Sequence, residues 1–351
     1  MRPTIKDIAE RAGVSKTTVS FALNDPGRIS AETRKRVMDI VAELGYVPDP
    51  VARALTTKRH GALGLLLPQP IHEALANPYL CEIVRGIGEL CEERGLALTM
   101  LPPVKGAVIE AARRAAVDAL LTIGVGPGTA VAELLHRRHL PFVTIDGDES
   151  ATTVNVGIDD EAAAYALMRH ILGLGHRRVA VLSLMPESYL DSAGDYSRVS
   201  CLRLAGFERA LAELGLGLAS PGIGVVAVEG SLEGGRQASL RLLSDGGRAP
   251  TAIVAMSDAA ALGAYEACRE LGLAIPRDLS VAGFDDIPNA SLVYPPLTTV
   301  HQPGLEKGAA AATLALALLA GEAVGHRILS AELVVRGSTA APRVGAPAPR
   351  S

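Results

Sequence analysis

A chain of 351 residues, 48% of them apolar, has room for two or three domains with cores of their own, and its four cysteines are too few to staple a disulfide-built mini-protein. The longest apolar run, 308–321, is too short to span a membrane and mostly Ala, so it reads as a buried helix and no membrane partner is expected. The net charge of −4 conceals an asymmetry: residues 1–60 hold eleven Lys and Arg against seven Asp and Glu, net +4, which leaves −8 on the remainder.

A basic head on an acidic body suits a phosphate-binding domain joined to one that binds no phosphate. The start lacks a charged segment leading into an apolar core and cleavage site, so the expected location is the cytoplasm. Cys81, Cys91, Cys201 and Cys268 show no CxxC spacing. On one helix Cys81 and Cys91 would stand ~15 Å apart, beyond disulfide reach, and all four read as reduced packing residues.

Thr4 followed three residues later by Asp7 approximates a capping box, and Ile5, Ile8, Ala9 and Ala12 recur at helical spacing. Gly13 supplies a turn open to positive φ, Ser15 caps a second helix, and Val19, Ala22 and Leu23 give that helix a buried face. Its outer face is left to Lys16, Thr17 and Ser20, with Phe21 beside them. The pair reads as a helix-turn-helix, whose second helix lies in the major groove and reaches base edges with its first residues, here Lys16 and Thr17. After the turn Asn24-Asp25-Pro26-Gly27, Ser30 opens a third helix with Val37, Ile40, Val41 and Leu44 on one face, and Gly45 closes it. Arg34, Lys35 and Arg36 are placed to face a DNA backbone, adding affinity without sequence choice.

Pro48 bars continuation of that helix, while Asp49 and Pro50 announce another of barely two turns before Thr56-Thr57-Lys58-Arg59. So short a helix is marginal in water; it reads either as a plain linker or as a hinge stabilised from outside. From 62 onward short apolar runs (62–67, 96–101, 119–123, 142–145, 179–182, 223–228, 252–255, 279–283) alternate with helical patterns at 79–93, 130–139, 161–174, 200–214 and 259–271. Strand and helix at this spacing argue for two α/β units with parallel sheets, divided near residue 160. A last crossing begins at Tyr294-Pro295-Pro296, with a helix near 304–320 and a strand near 328–335.

The stretch from Thr4 to Asn24, TIKDIAERAGVSKTTVSFALN, resembles the N-terminus of the LacI/GalR family of bacterial transcriptional regulators. Further motifs carry the likeness over nearly the whole chain: Asn77-Pro78-Tyr79, Leu174-Gly175-His176-Arg177-Arg178-Val179, Arg203-Leu204-Ala205-Gly206-Phe207, Ser257-Asp258 and Val281-Ala282-Gly283-Phe284-Asp285-Asp286. The resemblance implies a small all-α helix-turn-helix DNA-binding domain (1–46), a hinge helix and linker (47–60), and a two-lobed α/β, periplasmic-binding-protein-like body with Rossmann-like lobes (61–340). The chain then crosses three times between the lobes, the first taking 61–160 and 298–325, the second 161–297 and 326–340; 341–351 is a tail. It also implies a hinge that orders when two subunits meet on an operator, with Leu55 as a wedge in the minor groove. The candidate DNA-binding set is Thr4, Ser15, Lys16, Thr17, Thr18, Ser20, Phe21, Asn24, Arg34, Arg53 and Leu55.

Carried over residue by residue, the candidates for an effector in the cleft between the lobes are Tyr79, Leu80, Asp146, Arg203, Ser257 and Asp285. An Arg, carboxylates and an aromatic face suit the hydroxyls and C–H surface of a sugar. Each also has a plainer reading, Arg203 as a surface helix residue and Asp285 as a turn residue; Asp195 and Arg198 lie in a stretch that could line the cleft. Two departures from the family pattern stand out. Phe21 occupies a place where many members carry Arg, His or Asn, and it cannot hydrogen-bond a purine. Ser257 replaces an Asn common in sugar-responsive relatives.

No G-x-S-x-G, H-E-x-x-H or Walker A motif occurs, the Gly-rich 124–129 lacks the Lys of a phosphate loop, and the eight histidines show no metal spacing, so neither an enzyme nor a metal or cofactor is expected. The tail is rich in Pro and Ala without heptads, which leaves a homodimer as the expected assembly. The expected partners are operator double-stranded DNA and a small effector, a sugar or sugar derivative, and the expected role is that of a repressor of a carbohydrate-utilisation operon. A sugar-binding protein feeding a transporter is the alternative.

Overall fold

The computed structural model describes residues 3–47, 54, 57, 59–105, 107–184, 197–244 and 249–343. Pro50, Arg53 and Leu55 of the expected hinge helix lie outside the described residues, as do Asp195 and the tail from 344. The chain divides into two compact units, Met1–His60 and Gly61–Ser351.

In the first unit, capping decides where helices begin and end. Thr4 and Asp7 exchange side-chain-to-backbone hydrogen bonds at the start of α1 (Ile5–Ala12), and Gly13 at φ 66° ends it. Ser15 accepts from the Thr18 backbone N–H at the start of α2 (Lys16–Asn24); Ser30 does the same for Thr33 at the start of α3 (Ala31–Leu44). Ile8, Ala9, Ala12, Val19, Ala22 and Val37 form the shared core, with Leu23 and Ile40 packed at its edge. A core so small leaves most of α3 exposed to solvent, while α2 is exposed at its two ends.

The second unit begins with β1 (Ala62–Leu66), α4 (Ile71–Ala76), α5 (Pro78–Arg94), β2 (Ala97–Leu101), α6 (Val108–Arg114), β3 (Ala119–Ile123), α7 (Ala130–Arg137), β4 (Phe142–Ile145) and β5 (Val154–Ile158). It continues with α8 (Asp160–Gly173), β6 (Val179–Leu184), α9 (Arg198–Ala212), β7 (Ile223–Val228), α10 (Leu232–Leu243), β8 (Ala252–Ala255), α11 (Asp258–Leu271) and β9 (Ser280–Ala282). The end of the chain supplies β10 (Thr299–His301), α12 (Gly304–Leu319), β11 (Arg327–Leu329) and β12 (Glu332–Val334).

Two parallel sheets result, one of six strands in the order β11-β5-β4-β3-β1-β2 and one of four in the order β7-β6-β8-β9. Strands buried on both faces read as continuous apolar runs, and β1 and β8 are buried at every residue. On the first sheet, Leu63, Leu65, Leu121 and Val143 meet α5 and α12, while Leu66, Leu120 and Phe142 meet α6 and α7 on the other face. The contact of α5 with α12 is backbone against backbone: a Cβ at Gly86 would stand 2.0 Å from the Leu305 carbonyl oxygen, and one at Gly308 2.1 Å from that of Ile83.

Two boundaries differ from the sequence reading. Residues 327–329, assigned there to the second lobe, pair in parallel with β5 and complete the first sheet, because Ile328 sits in register with Gly157. The single strand expected over 328–335 is broken into β11 and β12, and β12 pairs antiparallel with β10. Thr298 in turn bridges to Ala282 and His301 to Asp285, so the crossing segment lies along the second sheet before α12 enters the first lobe.

Candidate functional site

On the helical unit, Lys16, Thr17 and Asn24 are exposed, while Thr18, Ser20 and Phe21 are half-buried along α2. Thr4, Ser15 and Thr18 are engaged in caps, the last two through a 2.8 Å hydroxyl contact. Phe21 lies under the Arg28 guanidinium, 5.3 Å from its ring centroid, and Arg28 pairs with Asp25. Four cations of 3–47 have carboxylate partners within the unit: Lys6 with Glu10, Arg11 with Glu43, Arg28 with Asp25 and Lys35 with Asp39. Lys16, Arg34 and Arg36 have none among the described residues. Unneutralised cations beside an exposed helix start are the charge a phosphate backbone attracts.

In the body, the strand ends of the first sheet and the returning chain of the second converge on one buried network. Lys307, on α12, donates to Asp146 Oδ1 at 2.6 Å, to Tyr79 Oη at 2.8 Å and to Gln302 Oε1 at 2.8 Å. The Tyr79 hydroxyl donates to Asp146 Oδ2 at 2.6 Å, and burial, with the Asp146 charge behind it, pushes its pKa well above the ordinary phenol value. Gln302 Nε2 donates to Asp285 Oδ1 at 2.6 Å. Burial first, then the Asp258 carboxylate, push Asp285 up to about 8 against the pull of Arg203; burial likewise lifts Asp258 to about 6, opposed by the hydroxyl of Thr299.

Arg203, nearly fully buried, donates through Nε to Asp160 at 2.8 Å and through Nη1 to the Met256 carbonyl, and its guanidinium lies 3.7 Å from the centroid of the Phe284 ring. Burial raises the Asp160 carboxyl and Arg203 pulls it back. Asp146, Asp285 and Asp286 all hold positive φ, at 54°, 136° and 59°. Such backbone conformations cost on the order of 1–3 kcal/mol each and persist where side-chain partners over-determine them. Asp286 is held by Arg336 at 2.6 Å and His301 at 3.1 Å.

Of the six effector candidates, Tyr79, Asp146 and Asp285 are therefore joined through Lys307 and Gln302, and Arg203, paired with Asp160, stands within electrostatic range of Asp146 and Asp285. Ser257 is the buried N-cap of α11, accepting from the Ala260 N–H. Leu80 does not join them: it packs with Ile83 and Ile87 in the first-lobe core, because its place on α5 points at the sheet. Beside the network lies a cavity of about 270 Å³, lined by Asp146, Asn155, Asp160 and Glu161 and by Arg198, Val199 and Leu202 of α9. Arg198 reaches across to Asp148 at 2.7 Å, which places it at this cavity. Among the described residues no group of His, Cys, Asp and Glu could hold a metal ion, and no helix is long and apolar enough to cross a membrane.

A profile of bacterial regulatory proteins of the lacI family matches residues 4–49, and one of a periplasmic binding protein-like domain matches 168–339. The HTH-type transcriptional regulator DegA of Bacillus subtilis is 33% identical, over 97% of this chain and 98% of its own. The chain belongs to the LacI family. Among solved structures, the lac repressor dimer bound to operator and the anti-inducer ONPF superposes with a TM-score of 0.78 at 29% identity, over 97% of this chain and all of that one. A LacI family regulator from Enterococcus faecium with bound ribose gives 0.68 at 26% identity, over 80% of this chain and all of that one.

As a LacI-family transcriptional regulator, the protein has a helix-turn-helix head and a two-lobed, periplasmic-binding-protein-like body, the fold class expected from its sequence. Lys307, Gln302 and Asp160 were missed. The signal for Lys307 was present: it shares a helical face with Gly304, Gly308, Ala311 and Ala315, and is the one charged residue among them. Gln302 and Asp160 carried no such mark, since one lies in an irregular crossing and the other reads as a first-turn acid.

Proposed function

We propose that this LacI-family regulator is a homodimeric repressor that binds a pseudo-palindromic operator and responds to a small, hydroxyl-rich effector, a sugar or sugar derivative. The observation that carries the reading is the convergence of Tyr79, Asp146, Arg203 and Asp285, from four separate elements, on one cluster of bonded and electrostatically coupled groups, in a chain whose helical unit leaves Lys16, Arg34 and Arg36 without a carboxylate partner among the described residues. Two heads read two half-sites through Lys16 and Thr17, with Arg34 on the phosphates, and the 47–60 segment couples them to the 61–340 body as a hinge helix carrying Arg53 and Leu55. Effector in the cleft favours one arrangement of the lobes, and couplings of about 1–3 kcal/mol alter operator affinity several-fold to a hundredfold.

The test is selection of genomic fragments by the full-length protein, followed by anisotropy titration with and without a sugar panel. Salt-dependent, sequence-specific binding with a two-fold footprint, altered by one sugar, is expected. A protein that binds sugars but discriminates no DNA sequence is instead a small-molecule carrier. One that discriminates DNA but is indifferent to every sugar and its derivatives loses the effector half of the reading.

A further inference from the structure

Lys307 is wholly buried, and each of its three ammonium N–H groups already has an acceptor: Asp146 Oδ1, Tyr79 Oη and Gln302 Oε1. No N–H remains to meet a ligand, so whatever this lysine does to ligand choice it does through those neighbours. Its grip on Asp146 is completed by Tyr79, which donates to the other carboxylate oxygen and closes a three-membered ring. Gln302 can offer the ammonium only its carbonyl oxygen; the amide orientation follows, and its NH2 is turned onto Asp285. One charge on α12 thereby orients an acceptor at the first-lobe strand ends and a donor beside the second-lobe strand ends.

We propose that Lys307 is the positioning residue that sets the ligand class of this cleft: an uncharged, hydroxyl-bearing molecule that donates to Asp146, in preference to a phosphorylated or carboxylated one. The inference rests on the reading of the cleft as an effector site. Asp146 lines the 270 Å³ cavity, and each of its oxygens keeps a second lone pair for a donor. The other charged lining residues are Glu149, Asp159, Asp160, Glu161 and Arg198, and Arg198 is paired with Asp148. An anion entering meets carboxylates in a site of reduced dielectric, where repulsion is little screened, and finds the lysine already coordinated. A hydroxyl meets acceptors fixed in place.

The experiment uses the full chain and two arms. In the first, D-ribose, D-glucose and D-galactose are each titrated beside the corresponding phosphate ester, with the rise in Tm as readout. At least one neutral sugar binds, and its phosphate ester binds at least tenfold more weakly. A phosphate ester that binds as tightly as its parent sugar, or more tightly, overturns the class assignment. Binding by neither member of any pair removes the sugar reading of the cleft and the class assignment with it.

The second arm decides the role of Lys307 without any ligand, by comparing the pH dependence of Tm in wild type, Lys307→Met and Lys307→Met/Asp146→Asn. The titratable and charged groups that face Asp146 are Lys307 itself, Asp160 from α8, Arg203 from α9 and the Tyr79 hydroxyl from α5, with Asp285 at the β9 end acting on Tyr79 and Arg203. With the ammonium gone, Asp146 is a largely buried carboxylate that keeps the Tyr79 hydroxyl but has lost its bonded cation, so Lys307→Met loses Tm more steeply than wild type from pH 5 to 8; the double variant returns to the wild-type slope. Equal slopes in all three proteins overturn the pairing. A wild-type preference for neutral sugars that survives in Lys307→Met overturns the positioning role and leaves the effector reading standing.

Discussion

Replacing Asp285 with Asn tests whether the cleft floor stores a proton. Asp285 accepts from Gln302 and from the Asp258 backbone N–H, is buried, and stands beside a second buried carboxylate. Its pKa is pushed from the ordinary 3.8 to about 8, burial being the larger cause and Asp258 the next. The sign follows from linkage. Between about pH 4 and 8 the folded protein keeps this proton and the unfolded chain does not, so stability is full below pH 4 and is lost as pH rises through that window. The slope for one site approaches ~1.4 kcal/mol per pH unit, so raising pH from 5 to 7 removes roughly 2–3 kcal/mol that an Asn at this position does not lose. For a body of this size that is a Tm difference of about 4–12 °C. The assay is thermal denaturation at pH 5, 6, 7 and 8, following the body transition. Asp258, lifted to about 6, titrates inside the same window, so the variant flattens the profile without abolishing its slope. Parallel profiles for wild type and Asp285→Asn would refute the stored proton.

Three further outcomes are expected. Lys16→Ala relaxes base preference at one position of each half-site by about 1–3 kcal/mol, measured by binding to a randomised operator library; a change confined to the salt slope makes Lys16 a phosphate contact instead. Leu55→Ala weakens operator binding more than binding to random DNA, and equal losses in the two titrations remove the wedge. Gly86→Ala lowers the Tm of the body, since its Cβ would lie 2.0 Å from the Leu305 carbonyl and α5 must move off α12; an unchanged Tm means the helices separate without cost.

How far the sequence reaches varies by element. Thr4, Ser15 and Ser30 with their partners three residues on were legible as helix starts because capping is local chemistry, and each makes the expected bond. The apolar runs at 62–66, 119–123 and 252–255 were legible as strands because both faces of a parallel sheet are covered. The strand β5 was not read: Asn155 and Gly157 break its apolar pattern, and they are there because Asn155 accepts from the Gly147 backbone at the cleft edge. Tyr79 and Asp146 could be named, but not joined, since 67 residues separate them and their bond depends on β4 ending beside α5.

What the sequence by itself determined is the order of parts: a capped three-helix head with a net positive charge, a proline-marked connection, and a body of alternating strands and helices. These follow from periodicity, capping and charge, which act over a few residues. Only the tertiary structure decided that residues 327–329 finish the first sheet, that Leu80 belongs to the core, and that a lone lysine in an alanine-rich helix lies against Tyr79, Asp146 and Gln302. Register between distant strands and the meeting of buried charges are set by which surfaces can cover each other, and no short window of residues contains that choice.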